Sequence, residues 1–223
     1  LFSTLHIVTL IICTLITLVV IQKALTMSKS QRRLCEWTIV IAVNTSEWGY
    51  CITHGCLPLH FCAVIAVIVV PGALLLKNNI CSHILICIGL IACLLAAITP
   101  NMNADTCLIE YIGFFTTHSG NILAALYALC IDRVTLSRMT FLKTVVIIWI
   151  YIAIVFIIDT LSNQNYIFLI HKPHGNTFFT TMPPWPGYVM EMIISMTLLS
   201  YLNFLVIRMI QTRYRKRIIS RTL

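Results

Sequence analysis

Seven runs of apolar residues, each close to the length that crosses a bilayer, constrain this chain more than any other feature of its sequence. A helix needs about 20 apolar residues to span the hydrocarbon core. Hydrophobic residues make up 59% of the 223 residues, 10% are charged, and the mean hydropathy is +0.94. We therefore predict an all-α fold in one integral membrane domain, residues 1–223, with seven transmembrane helices near residues 2–21, 34–53, 57–76, 80–98, 108–130, 142–160 and 187–207.

The basic residues predict the orientation of this bundle. Lys and Arg cluster at 22–33, 77–79, 131–143 and beyond 207, so a seven-span arrangement places fourteen of the fifteen on one side and only Lys172 on the other. Lys- and Arg-rich loops stay in the cytoplasm. We predict a multi-pass protein of the cell membrane, with its N-terminus outside and its C-terminus cytoplasmic. Cytoplasmic loops therefore explain the net charge of +8, and no nucleic-acid partner is expected.

One irregular segment, residues 161–186, interrupts the pattern of apolar runs. Its four prolines (Pro173, Pro183, Pro184 and Pro186) prevent a continuous helix. Its aromatic residues are typical of a membrane interface, where amphipathic rings settle. We predict that this segment is a lid across the outer mouth of the bundle.

Four ionisable residues fall inside the apolar runs, at similar depth in the outer half of the bundle. They are Glu47, His60, His118 and Glu191. An ionisable group costs free energy when it faces lipid, so ionisable residues within membrane-spanning segments often indicate functional sites. We predict that all four face the interior of the bundle and share a polar cavity.

Three kinds of chemistry fit such a cavity. Cys62 could be an acyl-transfer nucleophile with His118 as its base, although a gap of about 7 Å along the membrane normal would have to close. His60 suits that role less, because side chains two residues apart on a helix do not face each other. Alternatively, the His and Glu residues could hold a metal ion that activates water. Finally, the cavity could belong to a non-enzymatic transporter or sensor that binds a small polar ligand.

Several motifs resemble the YwaF-type family of bacterial integral membrane proteins. They are CLPLHFC at 56–62, AITP at 97–100 followed by FFTTHSGN at 114–121, and NYIFLIHKP at 165–173 followed by PPWPGY at 183–188. FSTLH at 2–6 matches more weakly. The resemblance extends over nearly the whole chain. That family is in turn distantly similar to eukaryotic seven-helix membrane phospholipid acyltransferases that use a Cys and a His.

The resemblance implies catalytic roles for Cys62 and His118, at the matching positions of LPLHFC and FFTTHSGN. The candidate substrate-binding residues are Glu47, His60, Asn121, Asn165, Tyr166, Lys172 and Glu191. The expected partners are membrane lipids, with a phospholipid or another acyl lipid as substrate, and neither a cofactor nor a metal ion is expected for acyl transfer. Most of the ten cysteines lie in apolar runs, where we expect small buried residues. Cys51, Cys56 and Cys107 lie near predicted outer ends of helices, and the sequence leaves open whether two of them form a disulfide.

The orientation can be tested with single cysteines introduced at Asn176, Ser30 and Ser137. A membrane-impermeant maleimide added to intact cells should label the Asn176→Cys variant above the level of the parent chain, because residue 176 lies in the predicted outer loop. It should leave Ser30→Cys and Ser137→Cys at the parent level. External labelling of Ser30→Cys would reverse the topology that the basic residues predict.

Overall fold

The computed structural model describes residues 3–100, 102, 106–173 and 178–222. Throughout this part of the chain the structure is helical, without strands, and it contains seven long helices. We label them α1 (Thr4–Thr26), α2 (Lys29–His54), α3 (Phe61–Leu74), α4 (Asn79–Ile98), α5 (Leu108–Cys130), α6 (Arg138–Ser162) and α7 (Gly187–Thr222). A short 3₁₀ turn, Phe178–Thr181, lies between α6 and α7.

Each predicted helix is present, and most boundaries agree within a few residues. Within the residues that the structure describes, four helices are long and apolar enough to cross a membrane: α1, α4, α6 and the Gly187–Tyr214 part of α7. Helix α3 is also apolar but shorter. The all-helical fold and its membrane character are therefore confirmed, while the number of spans and the orientation of the termini stay predictions. Asn176, the proposed outer probe position, lies outside the described residues.

Local sequence signals explain where the helices begin and end. Ser28 forms a capping box with Gln31 at the start of α2, and Ser137 caps α6 by accepting the backbone N–H of Thr140. These oxygens satisfy N–H groups that have no partner within the helix. Helices α2 and α6 end at Gly55 and Asn163, which adopt left-handed backbone angles (φ 61° and 55°).

Helix α5 is the central helix and packs against α1, α2 and α4. Its buried face carries small residues, including Ala124 and Ala128, which allow close approach of neighbouring helices. At Gly120 the approach is closest, because a Cβ there would lie 2.3 Å from Cγ1 of Val43 on α2. The polar residues of α5 at 116–121 therefore lie in the interior of the bundle.

Helices α3 and α4 both contain a π-helical segment, at Ile65–Val69 and Ile84–Gly89. A π turn widens the helix and leaves backbone carbonyls in need of partners. Asparagines from other helices supply them. Asn44 donates to the carbonyl of Ala66 (3.0 Å), and Asn203 donates to those of Ile86 and Cys87 (2.9 and 3.2 Å).

The lid predicted at 161–186 is shorter than expected, because α6 continues to Ser162 and α7 begins at Gly187. Its first part turns back onto the bundle, where Tyr166, Ile167 and Leu169 are buried with Val155 of α6. A buried carboxylate holds this turn, since both oxygens of Asp159 accept the backbone N–H of Tyr166 (3.0 and 3.1 Å). The lid is therefore anchored to α6 by packing and by a charged hydrogen bond.

An ionic network holds the helices together at the end where α3 turns into α4. The Lys77 ammonium binds Glu36 of α2 (2.7 Å) and Asp132 at the end of α5 (2.8 Å), and Arg33 also reaches Glu36 (3.3 Å). Glu36 is buried, whereas Lys77 is half-exposed. Burial raises the pKa of the Asp132 carboxyl, and Lys77 opposes that rise. One cation thus links three elements of the bundle.

Replacing this cation should destabilise the protein. In Lys77→Met the carboxylates of Glu36 and Asp132 lose their shared partner, so we expect a loss of about 1–2 kcal/mol, reduced by the partial exposure of Lys77. A thermal-unfolding assay in detergent should register it as a lower melting temperature. Lys143→Met, which removes an exposed lysine of α6, should change little. Adding Asp132→Asn to Lys77→Met should restore part of the loss, and equal melting temperatures for the two lysine variants would contradict this account.

Candidate functional site

Helix α3 begins four residues later than the sequence predicted, because residues 55–60 are not helical, and Cys62 therefore lies in its first turn. Two tyrosine hydroxyls fix this connection. Tyr151 of α6 donates to the carbonyl of Leu59 (2.6 Å), and the hydroxyl of Tyr166 in the lid accepts the backbone N–H of Leu57 (3.3 Å). The late start shortens α3 to 14 residues. This connection precedes the turn in which Cys62 comes into contact with His118.

His118 is buried on α5 and faces the Cys62 thiol, within reach of a side-chain hydrogen bond. Its Nδ1 lies 2.7 Å from the carbonyl oxygen of Phe114, and the Phe114 ring stacks on the imidazole with centroids 4.0 Å apart. A carbonyl can only accept, so Nδ1 carries the proton. In the neutral ring Nε2 is then an unprotonated acceptor for the thiol. The gap expected from the sequence is therefore closed.

Cys93 of α4 and Asn121 of α5 complete the surroundings of the sulfur. The Cys93 thiol donates to the sulfur of Cys62 (3.8 Å). The Asn121 amide donates to the carbonyl of Cys62 (3.0 Å) and to the sulfur of Cys93 (3.6 Å). Asn121 is fully buried, and its Oδ1 has no hydrogen-bond partner. Three helices thus hold one thiol–imidazole pair, with one polar acceptor left unused beside it.

His60 and Glu47 lie at the edge of this cluster. His60 is the residue before α3, where it is close enough to His118 for an electrostatic interaction, and its ring contacts those of Tyr166 and Phe168 in the lid. Glu47 of α2 is half-buried and hydrogen-bonds to Thr117, the residue before His118. Both residues are therefore neighbours of the cluster and not members of the pair itself.

The candidate residues of the lid hold the lid's own fold. Asn165 accepts the backbone N–H groups of Ile170 and His171 and donates to the carbonyl of His171 (2.7 Å). Lys172 donates to the carbonyl of Met182 (2.6 Å) and lies over the ring of Tyr188. With Tyr166 bound to Leu57, the described contacts give Asn165, Tyr166 and Lys172 positioning roles. Their assignment as substrate-binding residues stays a prediction.

Glu191 does not face the interior as the sequence predicted. Its side chain is exposed, because Tyr188, Val189 and Met192 take the inward face of this part of α7. The shared polar cavity is likewise not supported, since the remaining polar groups pack directly against one another. A concave groove of about 310 Å³ lies elsewhere, between α6, α7 and the lid, and its lining is apolar (Trp149, Ile152, Ala153, Phe156, Leu169, Val189 and Ile193).

The metal hypothesis lacks a set of ligands. Among the residues that the structure describes, no group of three or more His, Cys, Asp and Glu side chains is arranged to hold a metal ion. His6, in the first turn of α1, is buried with Nε2 2.9 Å from the carbonyl of Ala97. His54 is exposed and pairs with Glu110 (3.2 Å). These two histidines therefore serve local contacts, away from Cys62.

Three residues of the site escaped the sequence analysis. Cys93 lies in the uniform apolar run LIACLLAAI, and Tyr151 lies in an equally apolar run, so neither was distinguished from core residues. Asp159 could have been recognised, because an acidic residue at the end of an apolar run requires a partner. Its role in anchoring the lid depends on the fold of residues 163–166, for which the sequence gives no local signal.

These features define an all-helical membrane protein with a thiol–imidazole pair held between three of its helices. A family model described as the TMEM164 family matches residues 1–204, so the chain belongs to the TMEM164 family. No significant match exists among curated proteins or among solved structures. The family match establishes membership of a membrane-protein family, while the finer resemblance to YwaF-type proteins and to acyltransferases stays a prediction.

The role of Asn121 can be separated from general stability by comparison with Asn203. Both Asn121→Leu and Asn203→Leu leave helix carbonyls without a donor, so each should lower stability by about 1 kcal/mol. Only Asn121→Leu should change the rate at which a small maleimide alkylates Cys62, because only that amide holds the Cys62 carbonyl and the Cys93 sulfur. Thermal unfolding and peptide mass spectrometry measure the two effects. Equal alkylation of Cys62 in both variants would remove Asn121 from the site.

Proposed function

We propose that this protein is a lipid acyltransferase of the cell membrane in which Cys62 is the nucleophile and His118 is the general base. The observation that carries the proposal is the pairing itself: the Cys62 thiol faces an imidazole whose Nδ1 proton is bound to the Phe114 carbonyl. A nucleophile and base in contact, with the base oriented by a third group, is the arrangement that covalent catalysis requires. The resemblance of the two surrounding motifs to membrane phospholipid acyltransferases agrees with it.

The reaction would proceed in two balanced steps. The sulfur of Cys62 attacks the ester carbonyl of an acyl lipid while His118 accepts the thiol proton. His118 then protonates the departing alkoxide, which leaves as a lysolipid, and the acyl chain stays on Cys62 as a thioester. In the second step a lipid hydroxyl attacks the thioester, His118 takes the hydroxyl proton and returns it to the sulfur, and the acyl chain passes to the acceptor.

The N-terminus of α3 suits the charge that develops during these steps. No side chain caps this helix, so its first backbone N–H groups are donors without partners from the helix itself. Side chains of the first turn lean toward the N-terminus, which places an acyl group on Cys62 in front of these donors. They would stabilise the carbonyl oxygen as it becomes an oxyanion.

The proposed topology has seven spans, with the N-terminus outside. In this arrangement Cys62 and His118 lie in the outer half of the bundle, beneath the lid, and the proposed substrates are acyl lipids of the membrane. The rival proposal, a transporter or sensor for a small polar ligand, rests on the same polar residues. It requires Glu191 to share a cavity with the other polar residues, and the Glu191 side chain is exposed.

The two proposals differ over the thiol of Cys62. In Cys62→Ala and in His118→Ala, acyl transfer between lipids in reconstituted vesicles should fall about 100-fold or more, because one variant lacks the nucleophile and the other its base. Cys87→Ala, which removes a buried thiol of α4 away from the pair, should retain activity. Mass spectrometry of the wild type incubated with an acyl lipid should find an acylated Cys62 peptide.

Comparing the melting temperatures of the variants with that of the wild type shows whether each variant is folded. We expect similar values, because each substitution removes few atoms. Acyl transfer that persists in folded Cys62→Ala would overturn the proposal. Uptake or binding of a polar solute that survives Cys62→Ala but not Glu47→Gln would favour the transporter.

A further inference from the structure

The thiol of Cys93 contacts the thiol of Cys62, and the proposed acyl transfer gives this contact no role. The sulfur of Cys93 lies 3.8 Å from the sulfur of Cys62, and Cys93 is completely buried. A disulfide bond is about 2.05 Å long, so the two sulfurs would need to approach by roughly 1.8 Å to form one. Both thiols are free in the structure. The pair is therefore close to the separation of a bond without being joined.

We propose that Cys93 is the resolving partner of Cys62 in a reversible disulfide that switches the thiol–imidazole site off under oxidising conditions. Two features of the site favour thiol oxidation. The imidazole of His118 is within hydrogen-bond reach of the Cys62 thiol and can take its proton, and oxidation, like the proposed acyl transfer, proceeds through the thiolate. A second thiol stands in contact with the first, which is typical of cysteines that respond to oxidants.

The unused acceptor of Asn121 points to the kind of oxidant. Its Oδ1 is buried without a partner among the described residues, while the amide group beside it donates to the carbonyl of Cys62 and to the sulfur of Cys93. A small neutral O–H donor such as hydrogen peroxide would bind this oxygen and could enter a packed site. The same oxygen would then accept the hydroxyl of a Cys62 sulfenic acid, which is the intermediate that peroxide produces.

The chemistry balances with a peroxide as the only added reagent. His118 takes the thiol proton, the Cys62 sulfur attacks one peroxide oxygen, the O–O bond breaks, and the proton returns to the departing hydroxide as water. This step leaves Cys62 as a sulfenic acid. The Cys93 thiol attacks that sulfur, the S–O bond breaks and a second water leaves, so two thiols and one peroxide yield one disulfide and two waters. A dithiol such as dithiothreitol reverses the change by thiol–disulfide exchange.

A second thiol contact in the molecule provides an internal comparison. Cys51 at the end of α2 and Cys56 in the following connection also form a thiol–thiol hydrogen bond. Neither lies in contact with His118 among the interactions described for that imidazole. We therefore expect peroxide to oxidise the Cys62–Cys93 pair first. The regulatory consequence rests on the proposed function, whereas the disulfide itself can be measured without any activity assay.

The test begins with the wild-type protein in lipid nanodiscs treated with hydrogen peroxide, alkylated and digested for peptide mass spectrometry. The expected product is a crosslinked peptide joining Cys62 to Cys93 in most molecules, which disappears after dithiothreitol. Cys93→Ala should lose the crosslink, and Cys87→Ala, a buried control in the same helix, should retain it. A crosslink found only between Cys51 and Cys56, or a Cys62 that stays alkylatable, would overturn the proposal.

Acyl transfer measured on the same samples separates the two proposals. Oxidation should lower wild-type activity at least about tenfold, and dithiothreitol should restore it. In Cys93→Ala, peroxide should instead cause a loss that dithiothreitol restores less completely, because the sulfenic acid has no nearby thiol and oxidises further. A reversible crosslink in a protein without acyl transfer would refute the proposed function alone. Active protein without a crosslink would refute the disulfide alone.

Discussion

The need to satisfy every backbone carbonyl inside an apolar bundle is the constraint on which the rest of this structure depends. Lipid offers no hydrogen bonds, so a carbonyl freed by an irregular helix must find its donor within the protein. Helices α3 and α4 both pass through π turns, and Asn44 and Asn203 reach across from α2 and α7 to supply donors. Asn121 does the same for the carbonyl of Cys62. The same hydrogen bond that satisfies this carbonyl thus also fixes the position of Cys62.

The connection before α3 adds a second level of control. It is held by a tyrosine hydroxyl from α6 and another from the lid, so neither end of the loop is free to shift alone. The lid is held in turn by Asp159, whose carboxylate binds the backbone of Tyr166. A movement of the lid would therefore be transmitted to the first turn of α3 through a short chain of hydrogen bonds. This arrangement couples the lid to the position of Cys62.

The sequence predicted most of the fold, because the helices are defined by long apolar runs and those runs are local. It also placed Cys62 and His118 together, although their estimated depths differed. Depth along a helix can be counted from the sequence, whereas the direction of a side chain around the helix depends on which neighbours pack there. Glu191 illustrates the difference, since its depth agreed with the other polar residues while its side chain is exposed. Cys93 was missed because it lies in an apolar run, where the sequence does not distinguish a cysteine with polar contacts from one that only fills the core.

The hydrogen bond from His118 to the Phe114 carbonyl has a consequence for how protons travel in this site. With Nδ1 bound at 2.7 Å and the ring stacked on Phe114, the imidazole cannot flip without losing both contacts. One nitrogen must therefore both collect and return every proton, over a path that never crosses the ring. In the proposed reaction, His118 would therefore shuttle protons locally between the Cys62 sulfur and the substrate, and it would not conduct them through the bundle. The protein can thus hold an acid–base group deep among its helices without opening a route for proton leakage across the bilayer.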